Sequence, residues 1–435
     1  MSPRTGLASV NFFLADVEGG LGPFLATFLA GAGWSPERVG WVMTIAGLVG
    51  LAFNGPAGAL VDRAGHPRGL MGLATMVIVI GTLALLPAHA FASVLASQIG
   101  VAIAAALMPP ALTALTLGIV GKASFPFQQG RNQAWNHGGN VLASGLIAWL
   151  AGGSGRVAVF WVLAAMALAS GLSLLLIPAR AVDPVRARGT REIAQRASLR
   201  SILEDRRVLL VCAGLTLFHL ANAAMLPLLG ERVAKVGHGD ATRWLAICVI
   251  VAQVAMTGVA LAASWAADRI DRAWLFVIPC MVLPVRTAMA AFAWAPAWLL
   301  PIQVMDACGA GLLGVSVPIL IADYTWGSGR TQTALGTANT FQGIGASLSN
   351  VFGGMLMMRI GWTWGFLGLG APSLGALAMS LLLLRLSGPD GQASRRPAGA
   401  SASPTIAAFS PAARSASRQD TARLGATAAS RPPEV

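Results

Sequence analysis

Apolar stretches about as long as a bilayer-crossing helix recur from one end of the chain to the other. MGLATMVIVIGTLALLP (71–87) and VFWVLAAMALASGLSLLLIP (159–178) are two of them. Gly, Pro and charged residues punctuate the pattern. The expected spans lie near 7–30, 38–60, 69–87, 90–118, 127–151, 157–178, 207–229, 242–265, 273–293, 297–321, 331–357 and 362–384. The stretches are rich in Ala, Leu and Gly and lack the apolar/polar alternation of membrane-barrel strands, so the pattern predicts helices. The expected fold is an all-α integral membrane protein with 12 transmembrane helices.

The pattern also repeats. FFLAD at 12–16 returns as FHLAN at 218–222, an offset of 206 residues. The same offset carries Asp62-Arg63 onto Asp268-Arg269, Asn136 onto Gln342 and Gly139 onto Gly345. Several matches in one register predict two pseudo-symmetric six-helix bundles, residues 7–178 and 207–385. Parallel repeats of this kind are a transporter architecture. The segment between them, 179–206, is a basic linker in which 190–204 could form a short amphipathic helix. The tail, 386–435, is rich in Ser, Ala, Pro and Arg and reads as disordered.

Composition supports the membrane reading. The chain is 55% hydrophobic and 11% charged, whereas soluble domains carry about a quarter charged residues. The net charge of +13 raises nucleic-acid binding, but its distribution argues against that. With both termini on the cytoplasmic side, inside loops and termini hold 23 of the 30 Lys and Arg, and outside loops hold six. That is the bias expected of a multi-pass protein of a bacterial inner (plasma) membrane. Cys212, Cys248, Cys280 and Cys308 all fall in expected spans without a CxxC pair, so they read as core residues. Asp16 and Glu18 interrupt the first apolar run, which argues against a cleaved signal peptide.

GALVDRAGHPR (58–68) lies between the second and third spans. It resembles the signature G-x-L-a-D-r-x-G-r-k of the major facilitator superfamily at Gly58, Leu60, Asp62, Arg63, Gly65 and Arg68. His66 and Pro67 depart from its usual basic pair. SWAADRIDR (264–272) looks like a degenerate second copy, with Asp268 and Arg269 retained and Ser264 replacing the first glycine. NFFLADVEGGLGPFLATFL (11–29), GRNQAWNHGGN (130–140), FHLANAAMLPLLG (218–230) and DACGAGLLGVSVPILIAD (306–323) resemble an uncharacterised bacterial permease branch of that superfamily. The resemblance implies a gating role for Gly58, Asp62, Arg63, Gly65, Arg68, Asp268 and Arg269. The residues themselves are also compatible with a tight charged turn. A carboxylate here can cap a neighbouring helix N-terminus, and an Asp–Arg contact made in one conformation would bias an inward/outward equilibrium.

Ionisable groups within a bilayer cost roughly 2.5–3.5 kcal/mol on insertion scales, so function is the default expectation for them. Asp16 lies deep in the first span, with Asn222 as its repeat partner and His219 nearby. Asp306 lies in the tenth span, one turn from Gln303. The family fold puts the first, fourth, seventh and tenth spans around a central cavity, and Asp16 is the expected proton or substrate site. Asn132, Asn136 and Asn140 form a polar stripe in the fifth span beside His137. That stripe, with Gln253 and Gln342, either lines the cavity or bonds helices together. Arg286 is mid-span and could pair with Asp306, which would make Asp306 a poorer free proton carrier.

These features predict a secondary active transporter of a small solute that works by alternating access and is coupled to protons. Its partners would be a small-molecule substrate, protons and membrane lipid, with no nucleic acid. A non-transporting sensor of the same fold is the alternative. There is no Walker-type motif for an ATP motor. No nucleophile or metal-ligand constellation accompanies His137 or His219, so an enzyme is not expected, nor a metal or cofactor. GGNVLASG (138–145) lacks the glycine-proline signature of the superfamily's drug antiporters.

Overall fold

The computed structural model describes residues 2–19, 25, 28–29, 32–86, 90–154, 158–190, 204–236, 241–293 and 295–387. Among them there are helices and turns and no strand. In chain order the helices are α1 Pro3–Gly19, α2 Pro36–Ala64, α3 Pro67–Ala84, α4 Phe91–Ser154 and α5 Ala158–Ser173. The short α6 Pro184–Ala187 follows, then α7 Arg206–Asn222, α8 Met225–Val236, α9 Ala241–Ala266 and α10 Trp274–Phe292. The last are α11 Leu299–Asp306, α12 Leu312–Thr325 and α13 Thr331–Ser387, with a π-helical turn, Ala307–Gly311, between α11 and α12.

Among the described residues, nine helical segments are long and apolar enough to cross a membrane. Two of these are double. α4 turns at Gly121 (φ 69°) and α13 at Gly361 (φ 77°), both left-handed positions that glycine adopts without a Cβ clash. The expected breaks near 119–126 and 358–361 therefore shrink to single residues. The expected first span, 7–30, starts earlier as α1 and runs into residues outside the described set. Most of the expected amphipathic stretch 190–204 and almost all of the tail also lie outside it, although α13 continues to Ser387.

Apolar side chains cover the outside as well as the inside. Met358 is 90% exposed and Trp149 77%, the arrangement a protein adopts when its solvent is lipid. The buried apolar residues form three clusters. One runs from Leu7 to Ala187 and a second from Val208 to Leu383. A smaller third joins Leu117, Phe125 and Ala134 to residues between Ala260 and Ala322.

Glycines set how closely the helices approach, as small residues do in membranes. A Cβ on Gly139 would overlap the carbonyl of Phe12, so α1 lies directly on α4. A Cβ on Gly336 would overlap the carbonyl of Asn54, and one on Gly130 would overlap that of Ala260. The two pairs are related by the same 206-residue offset seen in the sequence. Replacing Gly139 with Val should destabilise the protein by about 1–3 kcal/mol, because the backbones must separate. The check is the melting temperature of detergent-purified protein, with Gly40→Val, which faces open space, as the neutral control.

Candidate functional site

The polar groups that the helices bring together fall at two levels. The first is the side that carries residues 179–190. Helix α13 begins there, and its first amides have no intrahelical acceptor. Asp62, near the end of α2 and 2% exposed, supplies one from the other half of the chain. Its carboxylate accepts from the backbone N–H of Gln332 (3.2 Å) and from Thr333 through both N–H and Oγ1 (2.7 Å each). A carboxylate on a helix N-terminus in a partly buried setting is worth up to about 2 kcal/mol. Gly58, one turn earlier, makes the approach possible, since a Cβ there would overlap the carbonyl of Gln332.

The segment 179–190 is stitched into the same place. Gln332 Nε2 donates to the Ala187 carbonyl (3.1 Å), and the Gly327 N–H donates to the Gly189 carbonyl (2.6 Å). Gly65 packs against the Arg188 guanidinium. Lys122 reaches Asp323 across the halves at 3.6 Å, and Arg272 holds the same carboxylate at 2.8 and 3.0 Å. The second copy of the motif does not reproduce the first. Asp268 and Arg269 are exposed, and Arg269 stacks on Trp265 at 4.1 Å. Ser264 stands where the first copy has Gly58, and its Oγ donates to the Phe127 carbonyl at 2.7 Å. Arg63 is exposed as well, and Asp62 binds helix amides rather than Arg63.

The second level is near mid-span. Buried Arg286 of α10 pairs with Asp306 of α11 at 2.9 Å, Asp306 being 16% exposed. Asn222 joins both, donating Nδ2 to Asp306 Oδ1 at 3.2 Å and accepting from Arg286 Nη1. Arg286 Nε also donates to the Ile302 carbonyl at 3.1 Å. The backbone is irregular at this point. Asn222 ends α7, with a two-residue turn before α8, and Asp306 immediately precedes the π-helical turn. Such irregularities accompany functional positions in membrane helices. Asp306 is therefore the neutralised member of a three-residue cluster and not a free acid.

His137 Nδ1 and Gln253 Oε1 meet at 2.8 Å, joining α4 to α9 across the halves. Asn140 Nδ2 reaches Asn136 Oδ1 at 3.4 Å, and Gln342 and His219 are half-buried, His219 bonded to the Leu215 carbonyl. Two expected cavity residues turn inward instead. Asn132 is 1% exposed and bridges Thr116 and Gln128, which makes it a tie between the two arms of α4. Gln303 is fully buried and its amide has no partner among the described residues. Asp16 lies within α1, with its side chain outside the described residues, as is that of Glu18. Three of the four cysteines are buried and Cys308 is half-buried; none is bridged.

Gln332, Thr333, Lys122, Arg272 and Asp323 were not expected at the site. Arg272 and Asp323 lie in quoted strings, but only the fold joins them. Thr333 carries no motif, and its signal is its position in the first turn of a helix.

These features define a multi-pass helical membrane protein with buried polar groups at mid-span and a set of cross-half polar contacts at one end. The chain belongs to the Major Facilitator Superfamily, whose family model matches residues 7–347 and 240–425. Two proteins described as uncharacterised MFS-type transporters, from strains CDC 1551 and H37Rv of Mycobacterium tuberculosis, are each 37% identical over 383 residues, covering 87% of this chain and 90% of theirs. Among solved structures, the transporter FucP in its outward conformation superposes with a TM-score of 0.69 at 15% identity, covering 89% of this chain and 98% of that one. A bacterial homologue of the iron transporter ferroportin superposes with a TM-score of 0.69 at 11% identity, covering 88% and 100%. At these identities the likeness is one of fold.

Removing one member of a buried ion pair costs about 3–5 kcal/mol, because the other charge stays behind. Arg286→Met should therefore lower the melting temperature sharply, and Arg286→Met with Asp306→Asn should recover most of the loss. Equal melting temperatures for wild type and the single variant would mean the pair does not hold the bundle.

Proposed function

We propose that this protein is a secondary active transporter that moves a small polar solute by alternating access, in two six-helix bundles joined by the 179–206 linker. The observation that carries the reading is the Asp62 carboxylate bound to the first amides of α13. It joins the two halves at one membrane face through a contact that must break if that face is to open. The cross-half contacts named above run from that face to the His137–Gln253 bond near mid-span. Such an arrangement fits a state closed on the linker side and open on the other.

The basic character of segment 179–206 supports a closed side that faces the cytoplasm, with both termini on that side of an inner membrane. The solute would meet His137, Asn140, Asn222, Gln253, Asp306 and Gln342. Their side chains are polar and largely uncharged, which favours a polar solute of low net charge. Arg286 neutralises Asp306, so proton coupling falls to Asp16, an acid deep in an apolar span. FucP, described as a fucose:proton symporter, has the same fold, which supports coupled transport as a class.

The test is a thermal-shift screen of small polar solutes on wild type and Asp16→Asn at two pH values, followed by uptake into proteoliposomes under a proton gradient. A hit should stabilise wild type in a pH-dependent way that Asp16→Asn loses, and uphill uptake should fail in the variant. Undiminished uphill uptake by Asp16→Asn would remove the coupling assignment.

The seal has its own test. Asp62→Asn should favour opening on the linker side by about 2 kcal/mol, roughly a thirtyfold change in population. Spin-label distances between the linker-side ends of α2 and α13 would report it, and an unchanged distribution would contradict the gating role.

A further inference from the structure

A cavity of about 590 Å³ borders the linker-side level but does not include Asp62 or the start of α13. Its walls are the start of α3, the end of α5 with the turn after it, and the segment 179–184. We propose that it binds an anionic phospholipid, with the phosphate at Arg68 and an acyl chain in the slot between α3 and α5.

The groove opens toward lipid. Both helices that form it carry large apolar side chains on their outer faces: Leu73 (61% exposed) and Ile80 (60%) on α3, and Leu172 (55%) on α5, with Leu175 (68%) just beyond it. The slot exists because its lining is small. A Cβ on Gly69 would meet nothing within 4 Å, and one on Gly72 would first meet Leu174 at 3.8 Å. The remaining wall is apolar, from Leu174, Leu175 and Val182. An open apolar slot at the membrane surface suits an acyl chain and gives a free inorganic ion nothing to bind.

The head of the groove is basic. Arg68 and His66 line it, and no acidic residue does. Arg68 has no ion-pair or hydrogen-bond partner among the described residues, in contrast to Arg272 and Arg286, which hold carboxylates. Pro67 at the first turn of α3, with His66 giving no side-chain cap, leaves the Arg68 and Gly69 amides without a side-chain acceptor. Basic pockets between membrane helices on the cytoplasmic side bind anionic lipid headgroups. On the topology proposed above, this groove lies on that side. The site is independent of which solute is carried. Its third wall, 179–184, leads directly into the segment whose Ala187 bonds Gln332 of α13 and whose Gly189 bonds Gly327 just before it, so an occupant would sit against the sealing segment.

The experiment is native mass spectrometry of the full chain in detergent, titrated with phosphatidylglycerol, phosphatidylcholine or inorganic phosphate. Wild type should retain one phosphatidylglycerol about fivefold more strongly than phosphatidylcholine, the worth of one interfacial arginine. Arg68→Gln should abolish that preference, and Arg68→Lys should restore it. Gly69→Leu, whose new side chain enters open space, should reduce retention of both lipids while the protein stays monodisperse. Retention unchanged in both Arg68→Gln and Gly69→Leu would overturn the proposal. So would competition by inorganic phosphate that is insensitive to Gly69→Leu, since that would mark a free-anion site.

Discussion

The Asp62 carboxylate occupies amides that α13 cannot satisfy by itself, and much of the linker-side architecture follows from that one need. A helix start leaves donors without acceptors, and in a membrane protein water cannot always supply them. Here the acceptor comes from the other half of the chain. The approach requires Gly58 to lie on the Gln332 carbonyl, and it brings Gln332 within reach of Ala187. One unsatisfied helix end thus joins α2, α13 and the segment 179–190.

The mid-span cluster follows a different logic. Arg286 and Asp306 are each costly in lipid, and the cost falls when they are paired. Asn222 completes the pair from a helix that ends at that residue, and the π-helical turn follows directly after Asp306. The polar centre lies where two helices are already interrupted, so its neighbours can change backbone conformation with little loss of regular hydrogen bonding. The His137–Gln253 bond adds a neutral polar contact between the halves at about that level.

The site was partly legible in the sequence. Asp62 and Gly58 stood out because their string resembles the superfamily's signature between the second and third spans. The Arg286–Asp306 pair was also in view, because two isolated charges inside neighbouring spans have a common interest in meeting. Asn132 stayed open between two roles, because a polar stripe on one helix face looks the same whether it faces a cavity or another helix; here it ties the two arms of α4. Asp268 was expected beside Asp62 because a repeated motif suggests a repeated contact, but it is exposed, whereas Asp62 is buried on a helix start. Thr333, Lys122 and Asp323 carried no local signal, since their roles depend on which helix end or charge lies opposite.

The sequence by itself determined the solvent and the helical class. Each of these is written in composition and period, and lipid leaves the backbone few alternatives. Tertiary structure alone decided which polar groups are partners. That choice depends on distances of a few ångströms between residues as far apart as Asp62 and Thr333 or His137 and Gln253. Such distances are set by glycine contacts and helix ends, which the one-dimensional pattern does not encode.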